Sequence, residues 1–310
     1  VWSFDCSHIY TSVNVDLFPL ITDSCLTPII DERMFYSIHV IPKLNSENDP
    51  IVQSIVNTIE LTAIQMGIQV VDRDQILGHT LIIAVGGDGT MLQAMRYSAL
   101  YDATAFGVNL GKVGFLSDLN IKELKRGELD TVICDILAHE LATFIEERTV
   151  LITSLDGNTI ACNEVSVSPL YSDTMLTYHL RVGTVSAGIH RANSILVATA
   201  SGSTAYSLSA GGALMMPELD AIQIVPVAPI TMTSRPLVVS ANSVVDLELT
   251  GEGLAVRADG QIINRTNHTF TKATPYRVSV RRYLRKAKVL HLADWNYFDS
   301  LTQKLGWIKQ

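Results

Sequence analysis

Apolar residues in the first third of the chain come in short continuous runs, with helical periods between them. Residues 35–41 (Phe-Tyr-Ser-Ile-His-Val-Ile) predict a strand. Asp49 followed by Pro50 predicts a helix start, an N-cap and then proline at the first helical position. Ile51, Ile55, Ile59 and Ala63 then recur every four residues with Val52 and Val56 beside them, and Gly67 supplies a C-terminal cap. Residues 68–71, 81–85 and 105–109 predict three more strands, and Met91, Leu92, Met95 and Ala99 keep a helical period between the last two. Strands alternating with helices predict a Rossmann-like α/β domain whose parallel sheet is covered on both faces. Such sheets bind ligands at the carboxyl ends of their strands.

After about residue 140 the period changes to two. Leu176, Tyr178, Leu180 and Val182 alternate with Thr177, His179 and Arg181; Val245, Leu247 and Leu249 with Asp246, Glu248 and Thr250; Tyr276, Val278 and Val280 with Arg277, Ser279 and Arg281. Half-buried antiparallel strands read this way, so the second domain is expected to be mostly antiparallel and β-sandwich-like. Residues 297–305 return to a short helical pattern. Four segments follow: an unassigned N-terminal extension (1–33), an α/β domain (34–140), a β-rich domain (141–285) and a C-terminal tail (286–310).

The candidate chemistry sits in three glycine-rich turns. The first, Gly86-Gly87-Asp88-Gly89-Thr90, ends an apolar strand and opens a helix. Glycines there admit close backbone approach, and amides at a helix start attract phosphate. A phosphate cradle gains nothing from a carboxylate, so Asp88 needs another task, such as binding a metal or taking a proton from a hydroxyl. The second turn runs Asn109-Leu110-Gly111-Lys112-Val113-Gly114-Phe115-Leu116. The third runs Ser201-Gly202-Ser203-Thr204-Ala205-Tyr206, followed by Gly211-Gly212. No GxxxxGK[ST] and no GxGxxG follows any of these strands, so neither common nucleotide motif applies. Taken alone, Asp88 also fits a turn aspartate bonding its own backbone, and Tyr206 fits core packing.

Composition narrows the classes. A formal charge of −8 argues against general nucleic-acid binding. The apolar runs are too short and too interrupted for a membrane span, and residues 1–10 lack the pattern of a secretory signal. The 4 cysteines show no CxxC spacing, so a reduced, cytoplasmic protein is expected. The 8 histidines show no HxxxH or HxH spacing, which argues against zinc. The basic cluster at Arg281, Arg282, Arg285, Lys286 and Lys288 reads as a solvated face.

The three turns, Asn163-Glu164 and Asp259-Gly260-Gln261, in this order, resemble the NAD kinase family from about residue 34 to 310. The tail, with Tyr297-Phe298 and Leu305-Gly306-Trp307, is similar to bacterial members. The first turn alone is shared with diacylglycerol kinases; Asn163-Glu164 together with the third turn is more specific. The resemblance implies phosphoryl transfer from ATP, with Mg²⁺, to the 2′-hydroxyl of the adenosine ribose of NAD, and a homo-oligomer. It implies that the tail packs on the α/β domain. Asp88 would be the general base or help hold the metal. Asn163 and Glu164 would grip ribose hydroxyls, and Thr204, Ala205, Tyr206 and Ser209 would surround the adenine and its ribose. Phe115 would pack near the adenosine, and Gly86, Gly87, Gly89 and Thr90 would admit phosphates. Arg191 and Asn193 would also serve NAD.

One departure bears on specificity. The family usually carries an Asp-Gly pair where this chain has Asn193-Ser194. Asparagine keeps a hydrogen-bond acceptor but loses the charge that favours a cationic nicotinamide ring, which leaves the choice between NAD and NADH open. Two other readings stand beside the kinase: a non-catalytic NAD(P)-binding regulatory homologue, and a lipid kinase of the diacylglycerol kinase type.

Overall fold

A computed structural model describes residues 34–307 apart from 112–113, 126, 156–158 and 172–173. The N-terminal extension, Cys6, Cys25 and Lys112 lie outside the described residues.

The first sheet is built from β1 (Ser37–Pro42), β2 (Gln69–Val70), β3 (Thr80–Gly86), β4 (Thr104–Asn109), β5 (Leu119–Asn120) and β6 (Thr143–Arg148). Its helices are α1 (Pro50–Gln65), α2 (Asp88–Tyr101) and α3 (Glu128–Leu137). The expected α1 cap is present: the Asp49 carboxylate accepts the Ile51 and Val52 amides at 3.0 and 3.4 Å. Gly67 follows at φ 72°. The buried stripe of α1 starts at Val52 rather than Ile51, which sits exposed in the first turn. Alternate residues of β3 serve opposite faces. Leu81, Ile83 and Val85 pack with α1 and α3, while Ile82 and Ala84 pack with Met91, Met95 and Ala99 of α2.

The second sheet holds β7 (Leu151–Thr153), β8 (Ile160–Ala161), β9 (Glu164–Pro169), β10 (Leu176–Val182), β11 (Val185–Ala192) and β12 (Ser194–Thr199). After the short α4 (Tyr206–Ser209) come β13 (Ala221–Val227), β14 (Leu237–Ser240), β15 (Val245–Ala258), β16 (Gln261–Phe270) and β17 (Tyr276–Arg282). Every pairing described within it is antiparallel. β15 carries the architecture. Residues 245–249 pair with β10 and β17, and residues 251–258 pair with β9 and β16. Between the halves, Gly251 and Gly253 take positive φ, and the ladder to β16 slips register beside Gly253. Inward side chains from both halves and their neighbours form one core, including Val165, Val197, Tyr178, Leu247, Val256 and Val278.

The chain then returns. β18 (Ala287–Leu292) enters the first sheet between β4, which it meets in parallel, and β6, which it meets antiparallel. The first sheet is therefore ordered β2-β1-β3-β4-β18-β6, with β5 on β4. The last helix is α5 (Tyr297–Leu305).

Candidate active site

α2 begins at Asp88 itself, directly after β3, so the first glycine turn is the first turn of the helix. That places the Asp88 carboxylate at the positive end of the helix dipole. Its oxygens accept the amides of Phe115 and Leu116 at 3.1 and 3.3 Å. Gly114 makes this possible, because a Cβ there would overlap the Asp88 carboxylate. Gly86 likewise lies against the Thr90 side chain, while Gly87 and Gly89 have open space where a Cβ would be.

Gly87 and Gly89 face a cavity of about 640 Å³, lined also by Lys43, Gln93, Arg96, Tyr97 and Gln261. Lys43 follows β1 and presents its ammonium with no partner among the described residues. A free cation, exposed glycine amides and a helix start converge there, which is the chemistry of an anion site.

Asp259 organises the second half of the site. It sits at φ 45° in the tight turn between β15 and β16, with its carboxylate fully buried. The carboxylate accepts the amides of Cys162, Asn163 and Glu164 at 2.9, 2.7 and 3.1 Å. Arg96, about two helical turns beyond Asp88, closes the shell with Nη2 at 2.7 Å and Nε at 3.2 Å. One carboxylate thus fixes Asn163 and Glu164 and ties them to the helix that carries Asp88. The third glycine turn abuts the same segment: Thr199 donates its amide to the Asn163 carbonyl at 2.8 Å. A Cβ on Gly202 would overlap that carbonyl.

Glu164 is 6% exposed, and its Oε2 has no hydrogen-bond partner. Burial first, and the Asp259 charge second, push its carboxyl up to about 7. Its unfolded value is near 4.5, so above that pH the folded state holds the proton more tightly and stability declines as pH rises towards 7. Glu164→Gln is therefore expected to raise Tm at pH 8, by a few kcal/mol of stability at most, and to leave it unchanged near pH 4. Thermal melts at the two pH values decide this; equal Tm differences at both would refute the assignment. Burial and Asp259 also push the neighbouring Cys162 thiol well above its usual range, so it is no nucleophile.

Two family models match the chain: that of the ATP-NAD kinase N-terminal domain over residues 39–135, and that of the ATP-NAD kinase C-terminal domain over residues 162–291. The chain belongs to the NAD kinase family. The NAD kinase of Edwardsiella ictaluri is 34% identical over 235 residues, 74% of this chain and 77% of that one. That of Mannheimia succiniciproducens is 36% identical over 250 residues, 76% and 78% of the two chains. Among solved structures, an NAD kinase from Archaeoglobus fulgidus in complex with ATP matches with a TM-score of 0.66 at 23% identity, over 88% of this chain and 99% of that one. Yeast NADH kinase complexed with NADH matches with a TM-score of 0.70 at 19% identity, over 89% of each. These two share the fold.

The NAD kinase motif positions fall into two groups in this chain. Asp88, Gly89, Phe115, Asn163, Glu164, Thr204, Ala205 and Tyr206 lie on segments that touch one another through α2, Asp259 and the Gly202 turn. Tyr206 is 46% exposed, so its ring is free to meet a base rather than packed in the core, and Ser209 is exposed beside it. Arg191 and Asn193 lie elsewhere: both are exposed at the opposite end of β12 from Thr199, roughly 20 Å along the strand. Three of the five cations of the basic cluster meet carboxylates. Arg282 and Lys286 pair with Asp220, and Lys288 with Asp102 at 2.8 Å.

Proposed function

We propose that this chain transfers the γ-phosphoryl group of ATP to the 2′-hydroxyl of the adenosine ribose of NAD, giving NADP and ADP. The carrying observation is the Asp88 carboxylate, held by the Phe115 and Leu116 amides and borne on the turn whose Gly87 and Gly89 face the cavity lined by Lys43 and Arg96. Asp88 accepts the hydroxyl proton, the ribose oxygen bonds to the γ-phosphorus, and the bond to the β–γ bridging oxygen breaks to release ADP. Asn163 and Glu164 hold vicinal ribose hydroxyls, since an amide donates and accepts while a carboxylate accepts twice. Thr204, Ala205, Tyr206, Ser209 and Phe115 enclose the adenosine. Gly87, Gly89 and Thr90 admit the donor phosphates beside Lys43, while Gly86, buried at the end of β3, makes room for the Thr90 side chain.

The residues fit a Mg²⁺ ion delivered with the nucleotide. Among the described residues no group of three or more His, Cys, Asp or Glu is arranged to hold a metal ion by itself, and Asp259 has its oxygens taken up by amides and Arg96. Asp88 keeps lone pairs free, and Mg²⁺ commonly takes one or two carboxylates plus phosphates. When bound, it neutralises charge on the transferring group.

Incubation with NAD or NADH and with ATP or polyphosphate, read by a coupled dehydrogenase, tests the reaction and the donor range. No NADP(H) from any pairing would refute it. Lys43→Ala is expected to raise KM for ATP about ten-fold, the loss of one charge-assisted contact, with KM for NAD within two-fold. A matching rise in both constants would remove Lys43 from the donor site. A lipid acceptor is disfavoured by the Lys43, Arg96, Gln93 and Gln261 side chains in the cavity wall, and retention of Asp88 with both amide donors disfavours a non-catalytic regulatory role.

A homo-oligomer fits the face around Arg191. Val185 and Ile189 of β11, with Ile230 and Met232, are exposed there, and the Ile230 amide bonds the Arg191 carbonyl. Arg191 and Asn193 would then serve the nucleotide of a neighbouring copy. Among the described residues Cys134 and Cys162 are free thiols, which fits a cytoplasmic location. No helix among the described residues is long and apolar enough to cross a membrane.

A further inference from the structure

A second assembly of buried charge lies where β6, β18 and the segment after Leu116 meet. His291 of β18 is fully buried between two carboxylates, with Nδ1 2.8 Å from Asp118 Oδ1 and Nε2 3.0 Å from Glu146 Oε2. Asp118 also accepts the Leu292 amide at 2.9 Å. Arg148, equally buried, pairs with Glu146 at 2.6 Å and reaches Ser201 Oγ at 3.5 Å, at the start of the third glycine turn. Trp295 stacks on the imidazole with ring centroids 3.9 Å apart, and Phe144 flanks it at 5.4 Å. Burial pushes the Glu146 carboxyl up, but the hydrogen bond from His291 and the charge of Arg148 outweigh it and hold the group below its usual range. An apolar cluster of the same volume would hold these strands together as well or better. It would not anchor one backbone segment by a directed bond at a single residue.

That segment matters, because Asp118 is two residues beyond Leu116, whose amide, with that of Phe115, holds the Asp88 carboxylate. On its far side Asp118 runs into β5, which is paired to β4. We propose that Asp118 and His291 are positioning residues, holding residues 114–118 so that the Phe115 and Leu116 amides stay aimed at Asp88. Through Arg148 and Ser201 the same cluster also steadies the turn that carries Thr204 and Tyr206.

The test uses His291→Gln and Asp118→Asn in the full chain, with thermal melts, steady-state kinetics and hydrogen exchange at residues 115 and 116. The expected result is kcat lowered ten-fold or more, KM for NAD within three-fold, and exchange at the two amides at least ten-fold faster, while α1 stays protected. Asp118→Glu, which keeps a carboxylate, is expected to recover part of kcat. Wild-type exchange at residues 115 and 116 in the folded variants would overturn the proposal whatever the rate. Global unfolding of both variants would overturn it too, by making the cluster a stability element. The proposal rests on Asp88 as the base, and the two readouts separate the ideas. Faster exchange with unchanged kcat would support the anchoring of the segment and sink the role of Asp88.

Discussion

Asp88→Asn is expected to lower kcat by roughly 10³-fold, within the range that one positioned general base supplies, while NAD still binds. The structure gives the reason to expect a folded variant. Asp88 lies in the first turn of α2 and is partly exposed, and its two protein partners are backbone amides. An asparagine oxygen can still take one of those amides, so the loss of stability is about 1 kcal/mol. Far-UV circular dichroism, NAD calorimetry and the coupled assay on one preparation make the measurement. A folded variant that binds NAD and keeps more than a tenth of wild-type kcat would remove Asp88 from proton transfer.

Asp259→Ala is expected to act differently, on the fold and on NAD together. The substitution leaves three amides without their acceptor and strands the Arg96 guanidinium, which is mostly buried, with no counter-charge. Breaking one side of such a pair costs about 3–5 kcal/mol, or roughly 10 °C in Tm for a chain of this size. Because Asn163 and Glu164 are mounted on this carboxylate, NAD affinity is expected to fall at least ten-fold even at temperatures where the variant is folded. The double variant Asp259→Ala with Arg96→Met should recover part of the Tm, since the stranded charge is gone, but not the NAD affinity. Recovery of both by the double variant would mean that Asp259 merely neutralises Arg96.

Much of the site was legible because it is written in short segments. Three glycines around Asp88, the Asn163-Glu164 pair and the third turn each need particular residues within a few positions, and local spacing reports that. The alternation in residues 245–249 and 276–280 was equally plain, since one face of each strand is buried. Arg96 was not legible, because a lone arginine in a helix looks like any solvated side chain until its partner 163 residues away is known. Asp259 was visible as part of a motif but not as the anchor of Asn163 and Glu164, because its partners are backbone amides, which leave no trace in side-chain identity. Arg191 and Asn193 were grouped with the rest by the family resemblance, and β12 carries them to its other end within one chain. Nothing in the local pattern of residues 287–292 says that they pair in parallel with β4; only the family resemblance pointed back to the first domain.

That return has a consequence for synthesis. A ribosome releases β4 and β6 long before β18, yet β18 is the strand that joins them. Until Leu292 has emerged, the nascent chain carries two unpaired strand edges, and Asp118, the neighbour of the site, lacks His291. The site of the first domain is thus finished by a strand made after the whole second sheet, and a chain terminated before it would be an aggregation-prone product rather than a half-active kinase.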